Sequence, residues 1–127
     1  MAYVHIVTAL AVLQFMVYGL KVGNARMRYG VKAPAVTGHE MFERRFRVQQ
    51  NTLEQLAAFL PGLYLFSFYF NPVLAAAIGV VYLIGREMYA MSYAQDPAKR
   101  GRGFGIAFLA VAALIAGGLI GAILSLV

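Results

Sequence analysis

The residues that could do chemistry in this sequence are concentrated in one charged stretch, Phe42 to Glu54. It contains three arginines, two glutamates and three amides, and it runs directly into the apolar segment from Leu56 to Phe70. If the whole segment is one helix, Arg47, Asn51 and Glu54 stand at i, i+4 and i+7 and share a face. A cation, an amide and a carboxylate at the edge of a bilayer are costly, so this face indicates a functional site.

A second polar stripe follows later in the chain. Tyr82, Arg86, Tyr89 and Tyr93 fall at i, i+4, i+7 and i+11, again on one helical face. Aromatic residues with polar tips commonly mark the membrane interface, and each tyrosine alone fits that interpretation. An arginine within the stripe favours a ligand-binding site over a belt of aromatic residues at the membrane interface.

The two stripes belong with two further arginines, Arg100 in a short basic turn and Arg26 after the first apolar segment. Arginine pairs bidentately with carboxylates, and the lone carboxylate of Glu54 could hold an ammonium group. The set therefore suits a small, mostly anionic, zwitterionic ligand. Its residue types leave a second reading open, in which the charges pair with one another and stabilise the interface.

Other chemistries find no support in the residue pattern. The sequence has no cysteine, no His/Cys/Asp cluster with metal-ligand spacing and no serine–histidine arrangement, so we predict no metal. The glycines of the basic turn have neither a Walker nor a dinucleotide spacing.

Composition indicates the architecture that must position these residues. The 127 residues are 61% hydrophobic and 13% charged, with a mean hydropathy of +0.71. About 20 apolar helical residues cross a bilayer, and four stretches are long enough. We predict an all-α, integral membrane four-helix bundle, a single domain with helices at about 2–22, 40–70, 72–93 and 104–126. The first stretch lacks a basic leader, so we expect it to be retained as a span and not removed as a signal peptide.

The charges predict how the bundle is oriented. All eleven basic residues lie between Lys21 and Arg102, in two groups separated by an uncharged hairpin at Asn71-Pro72. Basic loops stay on the cytoplasmic side, so both termini and the hairpin are expected on the other side. The net charge of +6 by itself would suit nucleic acid, but this distribution argues for a membrane topology signal.

Two ordered motifs resemble a known family. Phe42-Glu43-Arg44-x-x-Arg47-x-x-x-Asn51-x-x-Glu54 and Val81-Tyr82-Leu83-x-x-Arg86-x-x-Tyr89-x-x-x-Tyr93 are similar to signatures of the MAPEG family, the membrane-associated proteins in eicosanoid and glutathione metabolism. Within it, Gln50-Asn51-Thr52-Leu53-Glu54 and Lys99-Arg100-x-Arg102-Gly103 resemble the microsomal glutathione transferases of the third type. The resemblance covers nearly the whole chain.

This resemblance implies a homotrimer with glutathione bound between neighbouring subunits. The thiol-activating arginine of the family matches Arg100, which we therefore predict as the catalytic residue. The glutathione-binding residues predicted from the polar set and the resemblance together are Arg26, Arg47, Gln49, Asn51, Glu54, Arg86, Tyr89 and Tyr93. The implied activity is a glutathione transferase or glutathione-dependent peroxidase acting on lipophilic electrophiles or lipid hydroperoxides.

The sequence departs from one branch of the family at two positions. In leukotriene-forming members a second arginine follows the one matching Arg26, and here that residue is Met27. The tyrosine that follows the family glutamate is Gln55 here. Leukotriene formation through that second arginine is therefore not predicted, whereas general conjugation and peroxide reduction need neither residue.

Two other functions remain as alternatives. One is a non-catalytic lipid-binding membrane partner resembling lipoxygenase-activating protein, against which the retained Arg100 argues. The other is a small four-span exporter, which would be expected to have an acidic residue in mid-bilayer. The first and fourth helices have none. We expect a bacterial inner membrane, or otherwise a membrane of endoplasmic reticulum type, with the site facing the cytoplasm.

Overall fold

A computed structural model describes residues 1–127, and the chain is helical throughout. The elements are α1 (Ala2–Tyr29), α2 (Glu40–Tyr69), α3 (Pro72–Gln95), a 3₁₀ turn (Pro97–Lys99) and α4 (Gly101–Leu124). The predicted all-α class with four helices is confirmed. The loop between α1 and α2, the start of α2 and the 3₁₀ turn lie at the end of the bundle that contains all the basic residues, which we call the charged end.

Three helical segments are long and apolar enough to cross a membrane: α1, α3, and the segment Pro97–Leu124 that includes α4. The sequence analysis expected a fourth such segment in α2. That helix differs because charged residues fill its first third, and its apolar remainder from Leu56 is only about 21 Å long. The whole helix of 30 residues is about 45 Å long, whereas a hydrocarbon core is about 30 Å thick, so the polar end of α2 must reach into or beyond the headgroups.

The first helix is longer than predicted and ends at Tyr29, not near Val22. The apolar pattern does end there, but helical structure does not require apolar residues on every face. The helix stops at Gly30, whose φ of 69° lies in the left-handed region that glycine adopts without steric cost. Arg26 is therefore on the last turns of α1, beyond its apolar part.

The hairpin predicted at Asn71-Pro72 joins α2 to α3, and Asn71 caps the second of these helices. The Asn71 side chain accepts hydrogen bonds from the backbone N–H groups of Val73 and Leu74, at 2.7 and 3.2 Å, and Pro72 occupies the first turn. The fourth helix begins at Gly101, three residues before the predicted 104, because the 3₁₀ turn leads directly into it.

The helices α2 and α3 form the centre of the bundle, since both pack against α1 and α4 as well as each other. The main core contains buried apolar side chains from all four helices. At its middle the rings of Phe59 and Tyr82 stack with centroids 3.8 Å apart. This contact fixes the register of α2 against α3, and with it the position of the polar residues one to two turns further along.

Two glycines bring α3 and α4 into backbone contact next to the polar residues. A Cβ added at Gly103 would lie 2.3 Å from the Tyr89 backbone nitrogen and 2.8 Å from the Gly85 carbonyl oxygen. Such distances are impossible without moving a helix. Gly117 and Gly121, four residues apart on α4, likewise allow close packing against α2.

Candidate functional site

A cleft of about 650 Å³ opens at the charged end, between α2, α3 and the start of α4. Five of the nine predicted site residues line it. The lining consists of Arg47, Asn51, Tyr89, Tyr93, Ala98, Arg100, Gly101 and Phe104. The structure thus brings together the two stripes and the basic turn that the sequence connected only by their chemistry.

Helical spacing explains why these side chains meet. Arg47 and Asn51 are one turn apart on α2, and Tyr89 and Tyr93 are one turn apart on α3. The two tyrosine rings have centroids 5.5 Å apart, and Phe104 of α4 lies 6.1 Å from the Tyr89 ring. The close approach at Gly103 makes the second contact possible, because it holds α4 directly against the backbone of Tyr89.

Arg86, which was predicted to bind glutathione, does not line this cleft. Its side chain is fully buried at 0% exposure. Nη1 donates to Asn51 Oδ1 at 2.9 Å, and Nη2 donates to Thr52 Oγ1 at 2.7 Å. Its guanidinium carbon lies 4.3 Å from the centre of the Tyr89 ring, a cation–π distance. Arg86 therefore lies behind Asn51 and Tyr89 and fixes both.

Sequence reasoning did not identify Thr52 as part of this network. Thr52 is completely buried, and its hydroxyl also bonds the Val48 carbonyl oxygen at 2.7 Å. A threonine directly after Asn51 on a polar helix face was the available signal. It is weak, because threonine often satisfies its hydroxyl within its own helix.

Arg44 is a second residue that the sequence did not assign. Its Nη1 donates to the carbonyl oxygens of Ala94 and Gln95, at 3.1 and 3.0 Å, and its Nη2 pairs with Glu40. These carbonyls are at the end of α3, where backbone acceptors lack helical partners. Arg44 therefore holds the last turn of α3, next to Tyr93, against α2.

Arg100 stands at the junction of the 3₁₀ turn and α4. Its Nη1 donates to the Pro97 carbonyl oxygen at 2.8 Å, which restricts the side chain to the cleft wall. The other N–H groups of its guanidinium have no partner in the chain. Two arginines, an amide and two phenols thus face one space, and no carboxylate lines it. This arrangement favours an anionic ligand.

Three predicted site residues lie elsewhere. Arg26 donates to the Ala35 carbonyl oxygen at 2.7 Å, in the loop between α1 and α2, with its guanidinium 4.7 Å from the Phe42 ring. Gln49 packs against α1, where a Cβ at Gly19 would be 3.1 Å from its Nε2. Glu54 is exposed one turn beyond Asn51, on the same face as the cleft but outside its lining.

The fold and the site define a class of protein: a helical membrane bundle with an arginine- and tyrosine-lined cleft for an anionic ligand at one end. Comparison with known proteins identifies the family within this class. The chain belongs to the MAPEG family, whose sequence model matches residues 4–120. It is therefore an integral membrane protein, in agreement with the three helical segments that can span a bilayer.

Individual relatives agree with this assignment. An uncharacterized protein of Synechocystis sp. is 50% identical over 115 residues, which cover 91% of this chain and 84% of the relative. Human microsomal glutathione S-transferase 2 is 43% identical over 98 residues, 77% of this chain and 67% of the relative. Bovine leukotriene C4 synthase is 37% identical over 94 residues, 74% and 63% of the two chains.

The family predicted from the two motifs is thereby confirmed. The human, mouse and bovine microsomal transferases among the relatives are named as the second type, whereas the short motifs had suggested the third.

Proposed function

We propose that this protein is a membrane-bound glutathione transferase that binds glutathione in the cleft at the charged end. The family and the transferases among the relatives support this proposal. The observation on which it depends most is that Arg47, Asn51, Tyr89, Tyr93 and Arg100 line one cleft. In the proposed orientation this cleft faces the cytoplasm, where basic loops are retained.

The cleft fits the charges of glutathione, which has two carboxylates, one ammonium group and one thiol. Arg47 and Asn51 would donate to the carboxylates, and the hydroxyls of Tyr89 and Tyr93 supply further donors. Glu54, on the same face of α2 one turn deeper, is the carboxylate available to the ammonium group. Arg86 is a positioning residue in this scheme, because it contacts Asn51 and Tyr89 but does not reach the cleft.

The positions of Arg26 and Gln49 are consistent with binding between subunits. Both lie on the side of the subunit formed by α1 and α2, away from its own cleft. In a homotrimer, that side of one subunit would close the cleft of the next. Each site would then receive Arg26 and Gln49 from a neighbour, as closed rotational symmetry allows.

Arg100 would activate the thiol of bound glutathione. A free thiol has a pKa near 8.5, and only the thiolate is a good nucleophile. A guanidinium beside the sulfur stabilises the anion, and each pKa unit of lowering corresponds to about 1.4 kcal/mol. Its anchoring to the Pro97 carbonyl oxygen keeps the cation in place before the substrate binds.

Two reactions follow from a thiolate in this position. With a lipophilic electrophile, the sulfur forms a bond to the electrophilic carbon and the leaving group departs with its electron pair. With a lipid hydroperoxide, the sulfur attacks the O–O bond, which yields an alcohol and a sulfenic acid. A second glutathione then converts the sulfenic acid to a disulfide and water. We propose conjugation as the main activity and peroxide reduction as a second activity of the same site.

Leukotriene formation by a paired-arginine mechanism is not part of this proposal. Met27, which follows Arg26, is 85% exposed and has no group that can donate a proton.

Arg100→Ala tests the proposal. We expect glutathione to bind within about threefold of the wild-type affinity, because the other cleft residues remain. We expect kcat for conjugation to an aryl halide to fall about 100-fold or more, as when one donor to a developing anion is removed. Arg102→Ala is the matched control, since Arg102 belongs to the same turn but lies outside the cleft.

Equal activity of Arg100→Ala and wild type would contradict the assigned role. Failure of the wild-type protein to bind glutathione, together with binding of a lipid, would contradict the transferase proposal and support the non-catalytic lipid-binding alternative.

A further inference from the structure

A second polar cluster lies on the opposite side of α3 from the cleft, where α3 meets α1. Glu87 Oε2 accepts hydrogen bonds from the Tyr18 hydroxyl at 2.8 Å and from Gln14 Nε2 at 3.3 Å. The same Gln14 nitrogen donates to the Leu83 carbonyl oxygen at 3.0 Å. The glutathione site proposed above uses none of these three side chains.

Placing Glu87 at its depth in the membrane costs free energy. Glu87 lies about 22 Å along α3 from the start of that helix, which is within the roughly 30 Å thickness of a hydrocarbon core. The only ion pair of the chain joins Arg44 and Glu40, so Glu87 has no cationic partner. An intramembrane carboxylate without a partner is expensive and usually marks a functional position.

The cluster has more acceptors than donors. Both protein donors converge on Glu87 Oε2, so the chain supplies no donor to Oε1. Gln14 Oε1 is buried and has no hydrogen-bond partner, whereas the Glu87 side chain is exposed to the groove. The exposed carboxylate calls for a ligand group with N–H donors and a positive charge.

An apolar groove leads to this cluster. It runs between α1 and α3 as two adjoining cavities of about 410 and 330 Å³ that share Leu10. The cavity farther from the charged end is lined entirely by apolar side chains, among them Ile6, Ala77 and Val80. The nearer one ends at Gln14, Tyr18 and Glu87. The groove is therefore apolar along its length and anionic at one end.

We propose that the groove between α1 and α3 binds a single-chain lipophilic primary amine. The ammonium group donates to Glu87, and the hydrocarbon chain lies along the groove towards Ile6 and Val80. Charge complementarity identifies the ligand: an anionic amphiphile would repel Glu87, and an uncharged one would leave the carboxylate without a cation.

A second copy of this chain fits the groove less well. Copies in a membrane oligomer meet at equal depth, and the cation at the depth of Glu87 is Arg86, which is fully buried. Lys21, the next exposed cation, is one turn closer to the charged end, with its ammonium 5.9 Å from the Tyr18 ring. The groove therefore has no obvious cation from a neighbour.

Photolabelling of the full-length protein in phosphatidylcholine nanodiscs would test this inference. The probe is a dodecylamine with a diazirine in its chain, and the analogous dodecanol is the uncharged control. We expect the amine to label peptides of α1 and α3, with saturation by unlabelled dodecylamine. We expect the alcohol to label the groove at least about tenfold less. Loss of one hydrogen bond to a charged group lowers the affinity by about this factor.

Two variants separate the charge from the groove. Glu87→Gln keeps the shape and an acceptor for Tyr18, and we expect it to weaken amine binding about tenfold or more. Ala77→Phe fills the groove without touching Glu87 and should also reduce labelling. Asp96→Asn, the control, removes one negative charge outside the groove and retains an oxygen for the cap at Ala98.

Equal labelling of Glu87→Gln and wild type would overturn the proposal, and so would equal labelling by amine and alcohol. A change of oligomeric state in Glu87→Gln, measured by light scattering and without loss of amine labelling, would overturn it in favour of a subunit contact.

Discussion

Replacing Arg86 by lysine tests whether the contacts of its buried guanidinium hold Asn51 and Tyr89 in position at the cleft. The lysine keeps a cationic side chain at this buried position, although an ammonium is more strongly hydrated than a guanidinium and costs more to bury. A single ammonium on a flexible chain cannot reproduce the planar fork that bonds Asn51 and Thr52 together. The substitution therefore removes the guanidinium fork without leaving a cavity as large as alanine would.

The expected loss of stability follows from the contacts removed. An interhelical hydrogen bond within a membrane bundle contributes about 0.6 to 1.7 kcal/mol. A desolvated cation–π contact, such as the one over Tyr89 at 4.3 Å, contributes about 0.5 to 2 kcal/mol. Losing one bond and part of the stacking lowers the free energy of unfolding by about 2 kcal/mol. Thermal unfolding in detergent should shift down by about 7 °C.

The functional readout distinguishes a positioning role from a catalytic one. Asn51 and Tyr89 lose their support, so KM for glutathione should rise about tenfold. The value of kcat at saturating glutathione should change less than threefold, because Arg100 is untouched. Arg28→Lys, an exposed position on α1, is the control and should alter neither quantity.

Two results would refute this reasoning about Arg86. Wild-type stability and KM in Arg86→Lys would show that the network is not needed. A fall of 100-fold in kcat with unchanged KM would show that Arg86 acts on the reacting sulfur.

Further predictions concern the scaffold. Gly103→Ala should destabilise the protein by about 2 kcal/mol or more and abolish most turnover, because its Cβ would collide with the Tyr89 backbone. Gly105→Ala, where nothing lies within 4 Å, should leave stability unchanged or raise it by up to about 1 kcal/mol in the same thermal unfolding assay, because alanine is the better helix former. Equal effects of the two substitutions would contradict the packing argument. Asn71→Ala should lower stability by about 1 kcal/mol through loss of the helix cap, with kcat per folded protein unchanged. Asn71→Asp, which keeps the capping oxygen, should have the stability of the wild type. A loss of kcat in Asn71→Ala would contradict the expectation that the hairpin does not affect the site.

The fold was largely predictable because long apolar segments and helix caps are local signals. Asn71 with Pro72 defined the start of α3 correctly. The end of α1 was not predictable from apolarity, because the helix continues as a polar segment until Gly30 stops it. The start of α4 was missed for a similar reason, since a 3₁₀ turn joins it without a break.

The candidate site was predictable only in part. Spacing along one helix brought Arg47 together with Asn51, and Tyr89 together with Tyr93. Whether an arginine in such a stripe faces the cleft or the interior depends on how the helices pack, so the burial of Arg86 was not predictable. The contact of Tyr18 with Glu87 joins residues 69 positions apart, and no local pattern indicates it.

Ultraviolet absorbance of the glutathione thiolate bound to the purified protein tests the central claim most directly. The account predicts a thiolate signal at neutral pH in the wild type, and its loss in Arg100→Ala while glutathione remains bound. A wild-type protein that binds glutathione only as the thiol, or a thiolate signal unchanged in Arg100→Ala, would contradict it.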